Sequence, residues 1–476
     1  MKKFTALMLV VLMVVALVPF SASAATWTKV DTAAEFAAMA DGNYWLTADI
    51  DLSKATWTTM AEFKGTLNGN GHTITVPKDA PIFDKLSGTV KNVNLKGAMS
   101  LDDADRSAFH VAGNHNSHPL GVLANYAQGA TVENVHTAVE LTYASGRTAK
   151  PSAWTSVGGL IGIAMADYTI EEKDGTKNVK FGDGTTIKNV SNTGKMNLDF
   201  AKDMNGNRDN LGGILAGALG YVDLSLVLVS AEMTVQNTGG NKGGIVGYVY
   251  AGYESKLTGA SANVETEEMA VTFTDCLYNG SYKISGNTGE RWAGIAGYAH
   301  NAKFTNCVNE GTGEGGNVAG LIGYGNCGKD NGVHCIIVEN SVALGAKGCG
   351  SWTSVKAAKE NDTKFGHLEY KNIPLLEENK LNSAKDTDKP AEVQTNVVTY
   401  KTKPEVRTAF LANGASNFEV KNDVLTLKMP TFTPEADPAD KPVTPAPTGD
   451  MTVALVATAL VSLAAVTVIA KKKVTE

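Results

Sequence analysis

The chain reads as an all-β solenoid, short strands wound into coils that stack in parallel, and three observations predict it. A Gly-Φ-Φ-Gly motif, with Φ aliphatic, recurs as Gly159-Leu160-Ile161-Gly162, Gly244-Ile245-Val246-Gly247, Gly294-Ile295-Ala296-Gly297 and Gly320-Leu321-Ile322-Gly323. Looser copies stand at Gly121-Val122-Leu123-Ala124 and Gly213-Ile214-Leu215-Ala216. A recurring short motif marks one structural unit stacked on copies of itself. A second ladder, Asn or Asp before a small or apolar residue, precedes most copies: Asn92-Val93, Asn134-Val135, Asn189-Val190, Asp223-Leu224, Asp275-Cys276, Asn306-Cys307 and Asn340-Ser341. The spacing is uneven, 26 residues from Gly294 to Gly320, 31 from Gly213 to Gly244 and 54 from Gly159 to Gly213. A compact core would not tolerate that variation. A solenoid does, because extra residues bulge from one corner while the strands keep register.

The elements follow in order. Thr32-Ala33-Ala34-Glu35 has capping-box spacing and opens a short amphipathic helix with Phe36 and Met39, a cap for the first coil. Tyr44-Trp45-Leu46 and Ile50-Asp51-Leu52 read as strands, and residues 63–74 as strand, Asn-Gly turn, strand. Alternation in Thr131-Val132-Glu133-Asn134, Thr186-Ile187-Lys188-Asn189 and Lys303-Phe304-Thr305-Asn306 gives each coil a strand with one apolar face. Leu160, Ile245, Ile295 and Leu321 are expected to stack inward as one column. Asn suits a tight left-handed corner and bonds from coil to coil, and the glycines serve positive φ or close backbone approach. The inserts 102–118, 167–183 and 251–270 are polar or Gly-rich and read as corner loops. About eight coils would make a rod roughly 40 Å long. After residue 350 the repeat fades, and 351–430 reads as a C-terminal cap or small β-domain, with strands near 397–400, 418–420 and 424–427. Residues 431–449 form a Pro-rich extended linker.

The ends carry targeting signals. Lys2 and Lys3, an uncharged apolar run and Ala22-Ser23-Ala24 make residues 1–24 a secretory signal peptide. Residues 451–470 carry no charge and suffice to span a bilayer as a helix, with Lys471, Lys472 and Lys473 behind them holding the tail in the cytoplasm. The segment 450–476 is thus a transmembrane helix with a basic tail, and the long N-terminal portion is expected on the cell surface. A net charge of −7 gives no reason to expect nucleic acid as a partner. Five cysteines in 476 residues exclude a disulfide-dense scaffold.

Two resemblances add to this reading. Thr448-Gly449, the apolar span and the basic tail resemble the sorting signal of Gram-positive cell-wall-anchored proteins, with Pro445 and Ala446 in the first two positions where Leu and Pro are usual. The resemblance implies a sortase that cleaves after Thr448 and joins it to peptidoglycan; plain retention by the helix is the alternative. Ala48-Asp49-Ile50-Asp51-Leu52 and residues 63–74 resemble the opening coil of right-handed parallel β-helix surface proteins, and the Gly-Φ-Φ-Gly copies resemble GLUG repeats. That implies a right-handed parallel β-helix over 25–350. Such folds host lyases, hydrolases, adhesins and passive stalks, so the resemblance does not choose a function.

Candidate chemistry is sparse. Asp203-x-Asn205-x-Asn207-x-Asp209 alternates oxygen ligands as calcium loops do, but Arg208 and Ile214 stand where such a loop has Gly and an acid, so a polar corner is the competing reading. Otherwise no cofactor is expected. His110, His115 and His118 lie near Asp102, Asp103 and Asp105 without a standard zinc spacing. Cys276 and Cys307 share a ladder position, either as small apolar side chains or as a staple between coils; Cys327, Cys335 and Cys349 with His334 offer a further disulfide or a zinc site. Tyr248, Tyr298 and Tyr324 each follow a Gly-Φ-Φ-Gly, and form either an outward stripe that stacks on sugar rings or an ordinary solenoid ladder. No G-x-S-x-G, H-E-x-x-H or phosphate-loop signature appears. The expectation is a non-enzymatic surface protein, an adhesin or a stalk binding an extracellular glycan or a host or matrix protein. The alternative is a wall-anchored polysaccharide lyase or glycoside hydrolase on the same fold.

Overall fold

A computed structural model describes residues 26–434 apart from 106, 108–116, 147–153, 201–208, 238, 251–270, 287–291, 316–317, 327–335, 345–352, 357–367, 372 and 377–397. Two compact units divide at Thr433/Pro434, and the coils belong to the first. The leader 1–24, Thr448, Gly449 and the apolar run 451–470 lie outside the described residues. Among the described residues no helix is long and apolar enough to cross a membrane.

The chain is all-β and built on long parallel sheets. One coil shows the plan. Trp154–Gly158 lies in a six-stranded sheet, Ile161–Met165 in a nine-stranded sheet, and Thr185–Asn192 with Lys195–Asp199 in a nineteen-stranded sheet. The next coil repeats the order with Asn210–Gly212, Leu215–Leu219, Val222–Val229 and Glu232–Gln236, each strand parallel to its counterpart. Extra length enters between sheets and leaves register intact, as the uneven spacing requires.

The aliphatic pair turns the corner between the two smaller sheets. Leu160, Ile214, Ile245, Ile295 and Leu321 are all fully buried. Their backbones form one hydrogen-bonded column: Leu160 N–H donates to the Ile214 carbonyl (3.1 Å), Ile214 to Ile245 (3.0 Å), Ile245 to Ile295 (3.3 Å) and Ile295 to Leu321 (3.2 Å). The flanking glycines serve close approach, since none of the eight in the four full motifs has positive φ. A Cβ on Gly244 would run into the Gly294 carbonyl and the Tyr278 ring; on Gly159 it would meet the Asn192 amide, on Gly294 that of Asn309. Those asparagines cross the coil, as Asn192 Nδ2 donates to the Gly213 carbonyl and Asn309 Nδ2 to that of Gly320, both at 2.7 Å. The looser copy at Gly121 shifts by one: Gly121 pairs with Gly158, and Ala124 with Ile161, so Val122 takes the place of Gly159.

The long strands bend at residues in the left-handed region. Asn92, Asn134, Asn189, Asp275, Asn306 and Asn340 have φ between +40° and +58°. Their side chains form the expected ladder: Asn92 Nδ2 donates to Asn68 Oδ1 (2.9 Å), Asn134 to Asn92 (2.7 Å), Asn189 to Asn134, Asn306 to Asp275 (2.8 Å) and Asn340 to Asn306 (2.7 Å). Asp223 is not a rung. Register places Leu226 there, at φ +54°, because Lys188 pairs with Ser225 and Val190 with Val227.

Other expectations change in detail. The Thr32/Glu35 capping box forms, and the helix Ala33–Ala37 buries Phe36 against Trp57. Thr66–Asn68 and Thr73–Thr75 are no hairpin; both pair in parallel with Thr89–Leu101, so the Asn-Gly sequence makes a coil corner. The insert 167–183 is an antiparallel hairpin, Tyr168–Lys173 with Thr176–Phe181, turning at Asp174 and Gly175, which both have positive φ. The insert 251–270 and most of 102–118 lie outside the described residues. Coil pairing continues past residue 350, with Thr353–Lys356 against Ile322–Asn326 and Leu368–Lys371 against Ile336–Glu339. The helix Lys403–Ala412 and the hairpin Phe418–Lys421/Val424–Leu427 lie against the flank of the long sheet.

Ile245→Ala is expected to cost about 2–5 kcal/mol, because rungs above and below hold the cavity open; the exposed Val420→Ala should stay within about 0.5 kcal/mol. Denaturant midpoints of the three proteins check this. Asn134→Ala should lose two ladder bonds and strain the left-handed backbone, about 2–3 kcal/mol together. Asn134→Gly keeps the conformation accessible and should lose less than Asn134→Ala; equal losses would mean that the ladder alone carries the effect.

Candidate ligand-facing aromatic row

The nine-stranded sheet has an inner face on the core and an outer face with its own apolar cluster. Register sets one residue per coil in the outer row: Glu62, Lys85, Tyr126, Ile163, Gly217, Tyr248, Tyr298 and Tyr324. The three tyrosines singled out by sequence therefore meet, facing away from the core. Tyr248 and Tyr298 stack with ring centroids 4.9 Å apart and planes at 22°, and Tyr298 and Tyr324 at 5.5 Å and 21°. Tyr248 and Tyr298 are 5% and 7% exposed, and Tyr324 is half-buried. The row faces outward and its rings stack on one another as a ladder. Rings that cover one another leave little face for a ligand, and Tyr324 offers the most.

Sequence inspection misses the neighbours. Tyr250 stacks on His300 at 4.3 Å and 9°, a second aromatic row beside the first. Tyr126 is fully buried in the same cluster. Strand alternation would find Tyr250, two residues beyond Tyr248 on the same face. At the other end the row is ionic. Glu62 takes Lys85 Nζ at 3.1 Å, Ser87 Oγ at 2.9 Å and Lys64 Nζ at 3.2 Å. Burial pushes its carboxyl up, but those partners outweigh it and hold it below the usual range.

The remaining candidates scatter. Asp203, Asn205 and Asn207 lie outside the described residues; Asp209 is fully buried, and its Oδ1 accepts the Thr155 N–H at 2.6 Å. Tyr143 Oη donates to Asp103 Oδ1 at 2.8 Å and lies 3.4 Å from Thr155 Oγ1, and Ser145 Oγ donates to Asp103 Oδ2 at 2.8 Å. A hydrogen-bonded chain thus runs from Asp103 through Tyr143 and Thr155 to Asp209, with carboxylates from different coils at its two ends. His110 and His115 lie outside the described residues, while His118 Nδ1 sits 2.8 Å from the Ser107 carbonyl. Among the described residues no group of three His, Cys, Asp or Glu side chains is arranged to hold a metal. Cys276 and Cys307 are free, buried and adjacent, each thiol directed at backbone carbonyls; burial pushes the Cys276 thiol up. Cys327, Cys335, Cys349 and His334 lie outside the described residues.

No protein-family model and no curated protein matches the sequence. Among solved structures the chain is similar to an IgA1 protease at 16% identity and a TM-score of 0.40, over 77% of this chain and 25% of that one. It is also similar to a putative immunoglobulin A1 protease from Bacteroides ovatus at 14% identity and a TM-score of 0.35, over 87% of this chain and 96% of that one. The chain thus spans about a quarter of the first protein's length. Scores this low carry no argument about activity or fold.

Proposed function

We propose that the chain is a non-enzymatic protein displayed on a Gram-positive cell surface, a right-handed parallel β-helix of GLUG-like repeats that binds an extended glycan or a host or matrix protein, as an adhesin or binding stalk. The observation that carries this reading is the outer row of the nine-stranded sheet, where one side chain per coil recurs at about 4.8 Å and ends in the stacked tyrosines. Such a row suits a long ligand with its own repeat, and aromatic faces suit the apolar faces of sugars. The leader, the Pro-rich linker and the span at 451–470 support display, with Thr448 and Gly449 as the sortase site and peptidoglycan as the attachment. Calcium, sortase and host partners belong to this reading as expectations from sequence.

A second reading, a polysaccharide lyase or glycoside hydrolase, is favoured by one observation, the placing of Asp103 and Asp209 at the two ends of a hydrogen-bonded chain through Tyr143 and Thr155. Paired carboxylates are what glycoside hydrolysis needs.

The decisive measurement is a glycan and matrix-protein screen of the 25–440 fragment, reading retention and released product together. Binding without turnover is expected; turnover abolished by Asp103→Asn would establish the enzyme instead. Tyr324→Ala is expected to weaken binding tenfold or more at little cost in stability, about 1 kcal/mol. Tyr298→Ala, which opens a gap between two stacked rings, is expected to cost about 3–5 kcal/mol. Chemical denaturation beside the binding assay separates these effects.

A further inference from the structure

Among the described residues, 402–433 make no strand ladder with the coils, yet they run back along them from the late coils to the early ones. Asn340 Nδ2 donates to the Phe410 carbonyl at 3.1 Å, and Arg407 pairs with the buried carboxylate of Glu310 at 3.3 Å. Asn417 Nδ2 donates to Asp275 Oδ2 at 2.7 Å. Met429 packs in one cluster with Leu226 and Leu228. Asn189 Nδ2 donates to the Pro430 carbonyl at 3.3 Å, and the Phe432 ring lies against Gly71, where a Cβ would meet it at 2.9 Å. The segment thus follows the asparagine ladder across coils roughly 30 Å apart along the axis.

Two further observations show the coils shaped for this cover. The outer row beside the ladder is His136, Ser191, Leu228, Leu277, Val308 and Val342 in register. It is polar in the early coils, where His136 Nδ1 lies 2.9 Å from Ser191 Oγ. It turns apolar in the coils that meet the helix and hairpin through Val406, Phe410, Phe418 and Leu425. At the interrupted rung, Leu226 takes a left-handed conformation that suits Asn better, and the buried Asn189 Oδ1 has no hydrogen-bond partner among the described residues. The coil accepts both costs at a residue that packs against the same apolar cluster as Met429.

We propose that residues 402–433 are a strap that couples early and late coils into one cooperative unit. A bare solenoid is held by nearest-neighbour contacts and opens from its ends. A segment that touches early, middle and late coils opposes that, because the coils between its contacts cannot separate while the strap stays docked.

Amide hydrogen exchange of the intact chain, read by peptide mass, tests this with Phe410→Ala, Asn417→Ala and the exposed control Val420→Ala. The first two should raise exchange about tenfold or more in Thr89–Leu101 and in Ile336–Glu339 together, although neither residue touches the first of these strands. The control should match wild type. A rise confined to the coils around Asp275 and Asn340 would overturn the proposal and leave the segment a local cover. Should Phe410→Ala fail to fold, Asn417→Ala, which removes a single hydrogen bond, decides alone.

Discussion

Parallel pairing in register between successive coils is the constraint on which everything else rests. Once Ile161 pairs with Leu215 and Leu215 with Val246, every other position in the coil has a fixed neighbour above and below. Like residues then sit over like, so aliphatics form a dry column, amides form a hydrogen-bonded ladder and rings form a stack. Each is worth little alone. Together they repeat at every coil, and the sum holds a stack in which each coil is supported chiefly by the one above and the one below.

That constraint explains the glycines better than backbone conformation does. The coil is narrow at the corner, and the end of the long strand reaches across it. Asn192, Val229, Tyr278 and Asn309 occupy equivalent places there and lie on Gly159, Gly213, Gly244 and Gly294. Any Cβ would displace either that side chain or the next coil's backbone. The motif is therefore a record of cross-section, and that is why it persists while coil length varies.

The same logic decides what the sequence reveals. Inward positions repeat, so the corner column, the asparagine bends and the N-terminal capping box are legible at sight. Exact register is not: Gly121 sits one residue out of phase, and Asp223 mimics a rung three residues before the true one at Leu226. Asn70-Gly71 has the composition of a hairpin turn, but its flanking strands find parallel partners in the next coil, which no local pattern encodes. The strap is hidden for a stronger reason. Its bond from Pro430 to Asn189 joins residues 241 apart, and only the switch from Ser191 to Leu228, Leu277 and Val308 in the outer row betrays it.

Inner and outer rows carry different burdens, and the outer rows are where this fold can hold a function. An inner residue must match the rungs on either side, or it leaves a void or an unpaired amide. An outer residue answers only to its neighbours and to whatever lies over it. The outer row of the nine-stranded sheet accordingly passes from the ion pair of Glu62 and Lys85, through Ile163 and Gly217, to three stacked tyrosines, while the inner row beside it, from Phe63 through Leu86, Ala127, Ala164 and Ala218 to Val249, stays apolar. Written along one axis at one residue per coil, such a row amounts to a linear pattern of chemistry on a rigid support. Under the proposed function, recognition would depend on the order of side chains along the axis, and two solenoids with the same Gly-Φ-Φ-Gly core could bind unrelated ligands without any change in fold.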